Sequence, residues 1–134
     1  MAAIDQIEGI GDVFAQQLRQ AGVETTDALL ERGASKTGRQ ELAQATGIDE
    51  SRILRFVNHA DLMRVKGIGK QYSELLEAAG VDSVPELARR NPENLHKQIE
   101  EKNNDRNLVR EVAALSQVSE WVKQAASLDR VVTH

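Results

Sequence analysis

The chain has 134 residues, a net charge of −4, no cysteine and only four aromatic residues, Phe14, Phe56, Tyr72 and Trp121. That length suits one compact domain or two very small ones, and the missing cysteine excludes disulfide staples, thiolate nucleophiles and thiolate zinc sites. The scattered aromatics exclude a base-stacking platform for single strands, and no run approaches the roughly 20 apolar residues of a membrane span or begins as a secretory signal. A soluble cytoplasmic protein with no membrane contact is the reading.

The chain opens with apolar residues at Ile4 and Ile7, then Gly9-Ile10-Gly11, then Ala15 and Leu18 at helical spacing. Gly22 is expected to end that helix in the left-handed conformation that glycine adopts cheaply. Thr37-Gly-Arg-Gln40 reads as a capping box, Gly47 as a C-terminal stop, and Asp49 as the cap of a helix that buries Ile53, Leu54, Phe56 and Val57.

At residue 62 the pattern restarts. With an offset of 58 residues, Gly9/Gly67, Ile10/Ile68, Gly11/Gly69, Leu18/Leu76, Ala21/Ala79, Gly22/Gly80, Val23/Val81 and Leu29/Leu87 agree, which reads as an internal duplication. Ser83-Val-Pro-Glu86 is a capping box that starts a helix at Val84, and Asn91-Pro92 starts the next, with Leu95 and Ile99 on one face. The polar stretch from Ile99 to Asn107 reads as a loop. From Leu108 onward Val109, Val112, Leu115, Val118 and Val122 predict one or two amphipathic helices, with Trp121 covering the core and the last residues, to His134, frayed.

No sustained alternation of apolar and polar residues suggests a strand. The expected fold is all-α: duplicated units at 1–61 and 62–134. Units this small bury only about 60% of their unfolded surface and stay marginal alone, so the two are expected to share an interface and form one compact helical body.

The spacing of apolar residues around Gly-Ile-Gly is the helix-hairpin-helix pattern. Copy two carries it as Leu62, Val65, Gly67, Ile68, Gly69, Ser73 and Leu76. The run Asn-His-Ala-Asp-Leu-Met-Arg-Val-Lys-Gly-Ile-Gly, followed by Leu-Leu-Glu-Ala-Ala-Gly-Val and Glu-Leu-Ala-Arg-Arg-Asn-Pro-Glu-Asn-Leu, resembles the bacterial domain-of-unknown-function family 4332, over about Ile4 to Leu128. More distantly the hairpin is similar to those of DNA repair enzymes, Holliday-junction proteins and the C-terminal domain of the RNA polymerase alpha subunit. That resemblance implies that free amides at the start of the second helix meet a DNA phosphate without reading sequence. Carried over by position, it makes Gly67, Ile68 and Gly69 amide donors and Lys66 and Lys70 flanking cations, with Arg64 beside them. In some relatives the loop carbonyls also hold a monovalent cation.

Copy one departs from this, because Glu8 and Asp12 stand where copy two has Lys66 and Lys70. Residues 1–61 hold six basic and ten acidic side chains, and residues 62–134 hold eleven of each. Acids beside the turn oppose a phosphate while favouring the helix start itself, so an anion site is expected only in copy two. Arg64, Lys66, Lys70, Arg89 and Arg90 form a modest basic patch or are ordinary scattered surface charge.

No enzyme signature survives. Gly-Ile-Gly-Lys lacks the upstream Gly and following Ser/Thr of a Walker A loop, and Phe14 or Tyr72 stands where a dinucleotide fingerprint has Gly. His59 and Asp61 read as a packing residue and a helix cap, since no nucleophile or metal spacing accompanies them. No cofactor, metal or small-molecule substrate is indicated. Two readings remain: a non-catalytic module that binds duplex DNA backbone through the second hairpin, and a helical module that docks another protein or forms a homodimer, with structural hairpins.

Overall fold

The computed structural model describes residues 2–133. Its described part is all-α: a short 3-10 turn at Ile4–Gln6 precedes α1 (Asp12–Gln20), α2 (Thr26–Arg32), α3 (Lys36–Thr46), α4 (Glu50–Leu62), α5 (Lys70–Ala78), α6 (Val84–Ala88), α7 (Pro92–Arg106) and α8 (Leu115–Ser127). Among the described residues extended pairing is confined to one isolated bridge, Ala3 to Thr25, and no helix is long and apolar enough to cross a membrane. The chain divides into two units, one of residues 1–61 with 131–134 and one of residues 62–130.

Local signals explain most helix ends. The hydroxyls of Thr25 and Ser83 accept from the amides of Ala28 (3.1 Å) and Glu86 (3.3 Å) and start α2 and α6. The reciprocal half of the box expected at Ser83 gives way to another pairing, because the Glu86 carboxylate lies 3.1 Å from the Arg90 guanidinium. Asn91 caps α7 through the Asn94 amide at 3.0 Å, with Pro92 as its first residue. The α3 cap is Ser35, which accepts from the Gly38 amide at 3.0 Å. The box read at Thr37 therefore lies inside the helix: Ser35 is the first side chain that reaches an unpaired amide, and the chain is already helical by Thr37. Asp49 precedes α4 as expected, its carbonyl accepting from Ile53 at 3.1 Å, and Asp61 lies within the last turn of α4, fully buried.

Helices α1 and α5 end alike. Gly22 (φ +86) donates to Arg19 and Val23 to Leu18, while Gly80 (φ +91) donates to Glu77 and Val81 to Leu76. These are Schellman ends, in which a left-handed residue lets the chain turn back on its own last carbonyls and brings an apolar residue down on the helix. Val23 and Leu18 are fully buried, as is Val81, and Leu76 is nearly so.

In the first unit Ile4, Ile7, Leu18, Leu29, Leu42, Ile53 and Val57 are fully buried. In the second, Leu62, Val65, Ile68, Leu75, Leu76, Val81, Leu87, Leu95, Ile99, Val118 and Trp121 pack as one cluster.

Three expectations fail. The polar stretch from Ile99 to Asn107 is not a loop: α7 continues to Arg106 and stops at Asn107, which adopts the left-handed conformation (φ 53°). Leu95, Ile99 and Asn103 form one buried stripe four residues apart, and the Asn103 carboxamide both donates to the Val109 carbonyl (3.1 Å) and accepts from its amide (2.9 Å). A buried asparagine that satisfies two backbone groups thus replaces an apolar side chain on the inner face. The helix read from Leu108 begins only at Leu115, with Val109 and Ala113 buried from a non-helical segment. The tail is not frayed at residues 131–133, since Val132 is buried and Thr133 donates its amide to the Ala34 carbonyl at 2.8 Å; His134 lies outside the described residues.

Candidate functional site

The second hairpin begins where α4 ends. Val65 donates to the Leu62 carbonyl (3.1 Å) and Ile68 to the Val65 carbonyl (3.2 Å), so Val65 and Ile68 turn inward and are buried. Gly67 between them has φ +94°, a conformation open to glycine and costly for residues with a Cβ. Gly69 is the N-cap of α5 and as a glycine contributes no side-chain cap, and its carbonyl accepts from Ser73 at 2.9 Å.

The two glycines of this turn face different surroundings. A Cβ on Gly67 would stand 2.9 Å from Nε1 of Trp121, whereas a Cβ on Gly69 would meet nothing within 4 Å. The turn is thus backed by α8 on one side and open where α5 starts. Gln124, one turn beyond Trp121, accepts the Lys66 amide at 3.1 Å. Tyr72 stacks at a tilt on Trp121 (centroids 5.2 Å apart) and donates its hydroxyl to the Glu111 carbonyl at 2.8 Å.

Of the residues singled out from sequence, Lys66, Gly67 and Lys70 are exposed at this turn and Gly69 is half-buried beside them. Ile68 is removed from the surface, and its amide is used within the turn. Arg64 is half-buried and donates to the Asp129 carbonyl at 2.9 Å, an anchor for the chain after α8. Arg89 and Arg90 do not converge on the turn as free cations: both lie against Glu86, and Arg90 also donates to Gln98 and to the Gly80 carbonyl. His59 and Asp61 are both buried on α4. Among the described residues no group of three or more His, Asp or Glu is placed to hold a metal ion.

The first turn repeats this geometry with other side chains. Ile7 donates to Ile4 and Ile10 to Ile7 (both 3.2 Å), Gly9 has φ +91°, and Gly11 is the uncapped start of α1. Phe56 of α4 lies beneath Gly9, with Cε1 3.5 Å from where a Cβ would stand, and Phe14 meets Phe56 as Tyr72 meets Trp121 (centroids 5.9 Å apart). Phe14 and Tyr72 are 58 residues apart, but Phe56 and Trp121 are 65 apart, which is why a fixed offset did not connect them. Arg32 and Arg90, also 58 apart, each donate to a carbonyl at the end of the preceding hairpin helix, Ala21 and Gly80, at 3.0 Å.

A separate groove of about 390 Å³ in the first unit is lined by Lys36, Arg39, Glu50, Ser51 and Leu54. Arg39 is 3% exposed, and its guanidinium donates to the carbonyls of Gly33 (2.8 Å), Ala34 (3.1 Å) and Thr133 (2.7 Å). Burial lowers its pKa from the ordinary arginine value, and the nearby Glu50 carboxylate opposes that shift. No sequence signal marked this residue.

With this geometry in view, the family model for a domain of unknown function (DUF4332) matches residues 8–128. The chain belongs to that family. No curated protein and no solved structure gives a significant match. The family match therefore spans both Gly-Ile-Gly turns, α8 and its Trp121, and leaves the role of the turn to be argued from its chemistry.

Proposed function

We propose that the chain is a pair of helix-hairpin-helix units related by duplication, and that the second is a non-catalytic module binding duplex nucleic acid through its phosphate backbone, without sequence preference. The duplication is supported by the equivalent turns, Schellman ends, helix caps and aromatic pairs at corresponding places in the two units. One observation carries the binding reading: the start of α5 at Gly69, a residue with no side chain of its own to cap the helix, has open space beside it and stands between exposed Lys66 and Lys70. First-turn amides and the positive end of a helix attract an anion, and two lysines add to that field. At the first turn the same backbone carries Glu8 and Asp12, which oppose it.

The assay is titration of a labelled duplex with wild type and with the double variant Lys66→Glu/Lys70→Glu. Wild type should bind weakly at low salt, with log affinity falling by about 0.9 per phosphate contact for each tenfold rise in salt. The double variant should bind at least about tenfold more weakly, through loss of those contacts. Equal binding by the two proteins, or none by wild type, ends the proposal.

Two observations favour the second reading, an interaction module with architectural hairpins. Trp121 demands a glycine at position 67 whether or not anything binds, and Val13, on the first turn of α1, is 68% exposed. On that reading Lys66→Glu/Lys70→Glu keeps its partner, and sedimentation or partner capture responds to Val13→Ser instead of to the lysines.

A further inference from the structure

The second turn is held from behind by α8. Two contacts do this: the Lys66 amide donates to Oε1 of Gln124 at 3.1 Å, and the Cα of Gly67 sits so close to the Trp121 indole that no Cβ fits between them. Trp121 is in turn fixed by burial and by the Tyr72 ring, whose hydroxyl is tied to the Glu111 carbonyl. Lys66, the first residue after the buried Val65, is exposed, so the contact acts where the chain leaves the core. We infer that Gln124 is a positioning residue for the second hairpin: by holding the Lys66 amide it sets the path of Lys66–Gly69 and so the direction in which Lys66 and the start of α5 face a phosphate.

The phosphate clause rests on the binding proposed above; the anchoring clause does not. Anchoring lowers the cost of ordering the turn on binding, and preorganisation of this kind raises affinity without adding a contact to the ligand. It also commits one amide of the turn to α8. His59 stands three residues after Phe56 on α4, as Gln124 stands three after Trp121 on α8, so the first unit places a different hydrogen-bonding side chain at the corresponding position.

The test uses the full chain with Gln124→Leu, which removes the acceptor, and Gln124→His, which restores a ring-nitrogen acceptor when neutral and is measured near pH 8. Amide hydrogen exchange at Lys66 reads the anchoring, and titration with a labelled 20-base-pair duplex at low salt reads its consequence. Gln124→Leu is expected to speed Lys66 exchange and weaken duplex binding, each by about fivefold, with the thermal midpoint lowered by no more than about 8 °C; Gln124→His should recover most of both. Unchanged Lys66 exchange in Gln124→Leu overturns the anchoring. Faster exchange with undiminished duplex binding overturns its bearing on the ligand. If wild type binds no duplex, the binding proposal and the phosphate clause fall together, while the exchange data still decide whether Gln124 holds the turn.

Discussion

Substituting alanine at the two glycines of the second turn separates backbone demand from packing. Gly67→Ala forces a residue with a Cβ to φ +94° and sets that carbon 2.9 Å from Trp121 Nε1. The left-handed conformation costs about 1–2 kcal/mol for an ordinary residue. Overpacking against a buried ring adds about 1–3 kcal/mol, because Trp121 is 3% exposed and has Tyr72 against it. The sum, about 2–5 kcal/mol, should lower the midpoint of the second unit by at least about 8 °C, at about 4–8 °C per kcal/mol for a domain of this size. Gly69→Ala has φ −110° and nothing within 4 Å, so it should fall within about 0.5 kcal/mol of wild type. Gly9→Ala lies between: φ +91° carries the conformational cost, but Phe56 at 3.5 Å is an ordinary contact. Trp121 is the sole tryptophan, so its fluorescence in thermal and urea unfolding follows the second unit, and circular dichroism follows the Gly9 variant. A Gly67→Ala protein as stable as wild type, or a Gly69→Ala protein destabilised as much as Gly67→Ala, refutes the reasoning.

Other outcomes follow from the same contacts. Asn103→Ala should destabilise the second unit by about 2–4 kcal/mol, since it leaves the Val109 amide and carbonyl without the side chain that satisfies both; urea unfolding read by Trp121 fluorescence measures it. Arg39→Lys should cost the first unit about 1–3 kcal/mol, because an ammonium cannot reach three carbonyls with the planar fork of a guanidinium; faster exchange of the Thr133 amide reports release of the tail. The pKa of Arg39 is depressed on folding, so in the arginine range the unfolded chain holds more protons and stability rises with pH there. Between about pH 5 and 9 the guanidinium stays charged in both states, so Arg39 adds no slope to a plot of stability against pH. Duplex added to wild type should change Trp121 emission, because the indole backs Gly67, which stands between Lys66 and the proposed contact at the start of α5; loss of that change in Lys66→Glu/Lys70→Glu ties it to the turn.

Much of the helical framework was legible because it is written in short-range signals. Ser83 and Asn91 sit next to the amides they cap, Gly22 and Gly80 beside the carbonyls they let the chain turn back on, and Ile4, Ile7 and Ile10 repeat as Leu62, Val65 and Ile68 at a constant offset. Interactions of this kind span three to five residues, so composition and spacing contain nearly all the information. The same holds for the contrast between Lys66/Lys70 and Glu8/Asp12, which is a property of the sequence alone.

Tertiary packing decided what lies behind each turn and which polar groups go inside. Phe56 and Trp121 lie behind the two turns at an offset seven residues longer than that of the glycines, the polar end of α7 reads as a loop because Asn103 makes both its bonds to a residue six positions on, and Arg39 gains its role from a carbonyl 94 residues away. A side chain's burial depends on partners brought from elsewhere in the chain, and hydrophobicity read along the sequence assigns a polar residue to solvent until those partners are known. The sequence by itself determined that there are two glycine turns of opposite charge; the fold decided that the later one is backed by a tryptophan and a glutamine and open only where its helix begins.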